Sequence, residues 1–200
     1  MTAARDYFPL RKGLCLEYLY ESNEFSTPAH VVVTILRVAG KGKTVSAVAR
    51  MTTKLKGQET STEFKVAKTL KAVVSYDGII IGGRTEFALP AKTGTKWREE
   101  PENSEIKSVS EKVKTPAGQF CNCMKVASKI ELEDGGFAER YYAPGVGYVM
   151  EKYCTGDIQA VVQLLSVSEA TQKDLSSKTV RRSLSARAKL GGCPPGERQQ

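Results

Sequence analysis

Residues 113–153 read VKTPAGQFCNCMKVASKIELEDGGFAERYYAPGVGYVMEKY and hold the densest run of structural signals in the chain. Thr115-Pro116-Ala117-Gly118 carries turn chemistry: Pro presets φ at the second turn position and Gly supplies a positive φ, as a type II turn requires. A strand therefore ends at Val113-Lys114 and another begins at Gln119-Phe120. Strict alternation from Phe120 puts Cys121, Cys123 and Lys125 on one face and Phe120, Asn122, Met124 and Val126 on the other, if no bulge intervenes. Asp134-Gly135-Gly136 closes a hairpin. Ala143-Pro144-Gly145-Val146-Gly147 demands a sharp bend, because Pro cannot donate to a ladder, and Tyr148 to Tyr153 resumes a strand.

Working outward, the same grammar repeats. Leu14 to Glu21 alternates Leu14, Leu16, Tyr18 and Tyr20 against Cys15, Glu17, Leu19 and Glu21, the pattern of a half-buried strand. Ala29 to Val38 is a β-branched strand, and Gly40-Lys41-Gly42 turns it into Thr44 to Thr53, whose small residues suit a curved inner face. Thr60 to Ala67 is polar, a candidate edge strand; Leu70 to Tyr76, Ile79 to Ile81 and Thr85 to Leu89 follow, separated by Asp77-Gly78 and Gly82-Gly83. Arg98 to Asn103 reads as a charged loop, Ile106 to Val113 as a strand, and Ile158 to Val167 as the last one. Short glycine-bearing connections favour sequential antiparallel hairpins. The expectation is an all-β domain over residues 1–168, a large curved antiparallel sheet or incomplete barrel of about nine to eleven strands, with a β-sandwich as the alternative. One internal echo stands out: Pro9-x-x-x-Gly13-x-x-Leu16 has the spacing of Pro90-x-x-x-Gly94-x-x-Trp97, although two turns are fewer than a repeat architecture needs.

The motifs TPAGQF-x-N-C-x-x-V and E-x-YYAPGVG-x-V, with YFPLRKG near the start, Asp77-Gly78-Ile79 and Leu89-Pro90 before Gly94-Thr95-Lys96-Trp97, resemble an uncharacterised bacterial family. Its members are often secreted or lipid-anchored envelope proteins. The resemblance runs over residues 7 to 168, with Leu16 where the family usually carries Trp. It implies the β fold and an envelope location, and brings no established activity with it.

Composition narrows the function classes. With 200 residues, 40% hydrophobic and 26% charged, the chain has the make-up of a soluble globular domain, and no apolar run approaches the roughly 18–20 residues of a membrane span. Half of the net charge of +8 belongs to residues 169–200, read as a flexible basic tail with a short helix conceivable at Ser183 to Leu190. The body's lysines are scattered rather than striped, so no specific nucleic-acid partner is expected. MTAARDYFPL lacks the apolar core of a signal peptide: the expected location is the envelope or periplasm if a leader precedes this sequence, and the cytoplasm as written.

Five cysteines without C-x-x-C, and a single histidine, argue against a zinc site. Small buried thiols are the expected state, with a bridge from Cys123 to Cys15 or Cys154 as the alternative in an oxidising compartment. His30 would have to serve any triad, yet no G-x-S-x-G elbow accompanies it; Glu131, Glu133, Asp134 and Glu139 cluster around one hairpin as solvated turn acids. No cofactor, no metal and no catalytic residue is expected. Trp97, Tyr141, Tyr142 and Tyr148 are the candidate ligand-binding residues, an aromatic lining for an apolar cavity inside a curved sheet. The function expected is a noncatalytic binding module holding an apolar small molecule, a lipid or a partner segment. A structural or interaction protein without a ligand cavity is the alternative.

Overall fold

A computed structural model describes residues 5–42 and 44–176. Twelve strands form one antiparallel sheet: β1 (Leu14–Ser22), β2 (Ala29–Lys41), β3 (Thr44–Leu55), β4 (Gln58–Lys68), β5 (Ala72–Ser75), β6 (Arg84–Ala88), β7 (Lys96–Glu99), β8 (Glu102–Thr115), β9 (Gly118–Ile130), β10 (Gly136–Ala143), β11 (Gly147–Thr155) and β12 (Ile158–Glu169). A single short helix, α1 (Gln172–Ser176), follows. The spatial order is β6-β5-β4-β3-β2-β1-β12-β11-β10-β9-β8-β7. The chain thus lays down one arm from β1 to β6 and a second from β7 to β12, and the arms join where β1 pairs with β12, Leu14 opposite Glu169.

The sheet curls into a nearly closed barrel. At the seam no backbone ladder forms between β6 and β7; instead the Thr85 amide donates to Glu99 Oε2 at 2.6 Å. Inward positions carry the core, as on β1, where Leu14, Leu16, Tyr18 and Tyr20 are all buried. Ala47, Ala49 and Met51 on β3 do the same, the two alanines permitting the curvature.

Several expectations are corrected. The charged stretch at 98–103 is a hairpin, since β7 and β8 pair Glu99 with Glu102, and this raises the strand total to twelve. Residues 79–81 are part of a loop between β5 and β6, where Gly83 adopts φ +72°. β4 lies inside the sheet, although β5 borders it only along Val66–Lys68, which leaves its polar first half beyond the reach of β5's ladder. The Thr115–Gly118 turn is not type II: neither Pro116 nor Ala117 has positive φ, and Gly118 re-enters the ladder at φ +129°. Strict alternation in β9 also fails. Asn122 takes a left-handed φ of +56° where the β8–β9 register shifts between Glu111 and Val113, so Cys123 is buried while Cys121 is exposed. The four described cysteines are free thiols. The helix expected at Ser183 to Leu190 lies outside the described residues, as does most of the tail.

The echo between the two proline–glycine turns extends to geometry. Gly13 and Gly94 share φ +87°, and their amides donate to Ile35 O (2.9 Å) on β2 and Ile106 O (2.8 Å) on β8, in each case the second strand after the turn. Leu14 N bonds back to Arg11 O as Thr95 N does to Lys92 O. Directly after those isoleucines the registers of β2 and β8 both slip, between Ile35 and Arg37 and between Ile106 and Ser108. Each six-stranded arm therefore opens with the same device.

Candidate functional site

An ionic and aromatic layer crosses the barrel interior. Arg84 on β6 donates through Nη1 and Nη2 to Glu151 on β11 at 2.8 and 2.7 Å, a bidentate pair, and through Nε to Glu86 Oε2 at 3.3 Å. Glu86 also accepts from the Ser75 hydroxyl and, at 2.7 Å, from the Tyr142 hydroxyl. Tyr148 donates to Glu151 Oε2 at 2.6 Å, and Tyr18 to the Tyr148 carbonyl at 2.9 Å. On the far side Arg140, 0% exposed, is held through Nη2 alone, by Ser128 Oγ at 2.6 Å and Glu102 Oε2 at 3.2 Å. Its Nε and Nη1 have no protein partner among the described residues.

Electrostatics fix the protonation states. Burial alone would push Glu86 up, but Arg84 and Arg140, with the Ser75 and Tyr142 hydrogen bonds, hold it below the usual carboxylate range. Burial pulls Arg84 down, and Glu151 and Glu86 outweigh it, so the guanidinium is raised well above its ordinary value. Burial, followed by the neighbouring carboxylate, pushes the Tyr142 and Tyr148 phenols well up, so both remain donors.

Next to this layer, toward the end of the barrel where β1 begins, is a cavity of about 80 Å³. Its walls are apolar (Leu14, Leu16, Ile35, Ala49, Met51, Phe64 and Val66), and Ser75, Arg84, Glu86 and Tyr148 form its polar inner side. The outer side comprises Phe8-Pro9, the β5–β6 loop at Asp77–Ile79 and the β10–β11 turn at Val146-Gly147. Residues 5–10 run across this end as a strap. The Tyr7 hydroxyl donates to Asn122 O at 3.3 Å, Asp6 pairs with Lys68 at 2.6 Å, and the Gly145 amide donates to Asp6 O at 2.8 Å. Phe8 packs against the Phe87–Tyr142 ring pair, with centroids 6.4 and 6.2 Å away.

Of the four aromatic candidates, Tyr148 lines the cavity and Tyr142 stands behind it, their centroids 5.9 Å apart. Trp97 packs half-buried on the short β7, opposite Ser104. Tyr141 takes the other face of β10, where its hydroxyl donates to Glu139 and Lys125 lies 5.6 Å from its ring. His30 and Glu139 are likewise outside the barrel, paired with Glu17 and Lys125. The buried ion pairs escaped sequence reasoning, yet their signal is present. Arg140 shares the inward parity of Ala138 and Tyr142, and Glu151 that of Val149 and Tyr153.

Among the described residues, no cluster of three or more His, Cys, Asp or Glu side chains could hold a metal ion, and no helix is long and apolar enough to cross a membrane. No protein-family model matches the sequence, and no curated protein matches it significantly. Solved structures do match. One is a Bacteroides fragilis protein described as a candidate exported protein with a YmcC-like fold: TM-score 0.58, 14% identity, 82% of this chain and 100% of that one. Another is a candidate lipoprotein from Parabacteroides distasonis: TM-score 0.60, 14% identity, 84% of this chain and 100% of that one. The chain is thus similar in fold to bacterial exported and lipoprotein-type barrels.

Proposed function

We propose that this protein is a noncatalytic binding module of the bacterial cell envelope, which takes the end of an unbranched apolar chain into the barrel cavity. The carrying observation is the cavity itself, apolar on its walls and closed on its inner side by charges already committed to one another. Ligand pockets for whole drug-sized molecules run to roughly 300–1,000 Å³. This one holds only a few heavy atoms, so the rest of the ligand, polar head included, stays outside. A noncatalytic role accords with the buried carboxylates: Glu86 and Glu151 each have both oxygens engaged, and Glu86 is held ionised rather than raised toward neutrality as a general acid would be. The envelope location rests on the sequence resemblance and on the exported and lipoprotein-type fold relatives.

A second reading, a structural protein acting through its surface, draws on exposed Phe137 and Leu132 near the β9–β10 hairpin. One experiment separates the two. Fluorescence titration with cis-parinaric acid, and competition with saturated fatty acids of increasing length, is expected to show saturable binding. Ala49→Leu, which fills the cavity from a fully buried wall position, should abolish it while the melting temperature holds or rises. Absence of binding in the parent protein, with Ala49→Leu simply more stable, would establish the surface reading instead.

A further inference from the structure

We infer that the strap at residues 5–10 is a lid on the cavity, latched by the Asp6–Lys68 ion pair, and that an apolar chain enters only when the strap lifts. The inference rests on the binding proposal above for its ligand, and on the strap's own anchoring for its mechanism.

The anchoring differs in kind from everything around it. Each arm of the sheet opens with a Pro-x-x-x-Gly turn, and in the second arm the segment before Pro90 is β6 itself, tied to β5 by a ladder that pairs Ala72 with Ala88. Among the described residues before Pro9 there is no strand. Residues 5–8 are fastened instead by side chains and single hydrogen bonds: Arg5 to Val109 O, Tyr7 to Val109 O and Asn122 O, Asp6 to Lys68, and the Gly145 amide to Asp6 O. Scattered contacts to three parts of the rim (β4, the β8–β9 pair and the β10–β11 turn) can release without disturbing any ladder.

The latch is exposed while the part that blocks the cavity is not. The Asp6 and Lys68 side chains are 48% and 30% accessible, whereas Tyr7 is buried and Phe8 and Pro9 line the cavity. Pro9 sits beside Gly147, where a Cβ would meet its ring at 3.5 Å, an ordinary contact distance. Lifting the strap would withdraw Phe8 from Phe87 and Tyr142, open the outer side of the cavity, and leave the charged layer in place. Local openings of this type occur well below the free energy of global unfolding when few contacts hold a segment.

The test uses Lys68→Met on the full chain, read two ways. Hydrogen exchange follows the Gly145 amide, which is protected by the Asp6 carbonyl. In the parent it should exchange faster than the ladder amides of β10 and β11, and in Lys68→Met by a further factor of about two to five, with those ladder amides unchanged. Stopped-flow mixing with cis-parinaric acid should show a matching rise in association rate in Lys68→Met, and lowering the salt should slow association in the parent alone, where the ion pair tightens. Exchange of Gly145 in step with β10 and β11 in both proteins would overturn the lid, whatever the ligand does. A released strap with no parinaric acid binding would retain the lid and sink the binding proposal. Faster Gly145 exchange with an unchanged association rate would show that chains enter elsewhere, and that too would overturn it.

Discussion

Glu86 shows how a single buried side chain contributes to the acid sensitivity of the fold. Its folded-state pKa is below the value in the unfolded chain, so between the two the unfolded state binds more protons and stability rises with pH. The contribution is therefore complete above the ordinary carboxylate value of about 4.3 and is lost as pH falls toward the folded value. Urea midpoints measured from pH 6 down to pH 3 should drop through that window, and Glu86→Gln should flatten the drop while lowering stability at pH 6. Cys123 gives a second residue-level consequence. Burial first, and then the neighbouring Cys121, pushes its thiol up to about 11. At pH 8 only about one part in a thousand is thiolate, and thiolate is the nucleophile. Iodoacetamide at that pH should label the exposed Cys121 and spare Cys123, as peptide mass spectrometry would show.

At the scale of the element, the bulge at Asn122 decides which of those thiols is inside. A β-branched residue held at φ +56° costs about 1–2 kcal/mol, whereas glycine adopts that conformation freely. Asn122→Val should lower stability by that amount and Asn122→Gly should come close to the parent, as denaturant midpoints at unchanged m would show. The bulge also marks the limit of what sequence could deliver. Strands with strict period-two burial, such as Leu14–Ser22, were legible because every inward position is apolar. The end of β7 and the start of β8 read as a loop because Arg98, Glu99, Glu100 and Glu102 carry charge and, on β7, only Trp97 packs against the core. Bulges leave no compositional mark when the residue that takes positive φ is Asn rather than Gly. The buried ion pairs were hidden for a related reason: a charge at an inward position reads as surface until its partner, sixty-seven residues away for Arg84 and Glu151, is known.

For the whole molecule, the topology gathers all long-range pairing into one joint. Within each arm consecutive strands pair with their chain neighbours, so those registers are set locally; β1 and β12 alone pair across nearly the full chain. Closure of that ladder carries the largest loop entropy and is the step expected to set the folding rate. The segment between β6 and β7 lies at the opposite side, with Lys92 and Thr93 exposed and no ladder crossing it. Brief trypsin treatment should cut after Lys92 and leave two fragments that co-elute by gel filtration with unchanged far-ultraviolet circular dichroism. Separation of the fragments under native conditions would show that the β1–β12 ladder does not hold the arms together without the covalent link. Because no ladder closes the seam, the molecule amounts to two half-shells joined along the β1–β12 stave and pinned across the interior by Arg84–Glu151 and Glu86–Tyr142, and two polypeptides divided at the seam should find each other through those contacts.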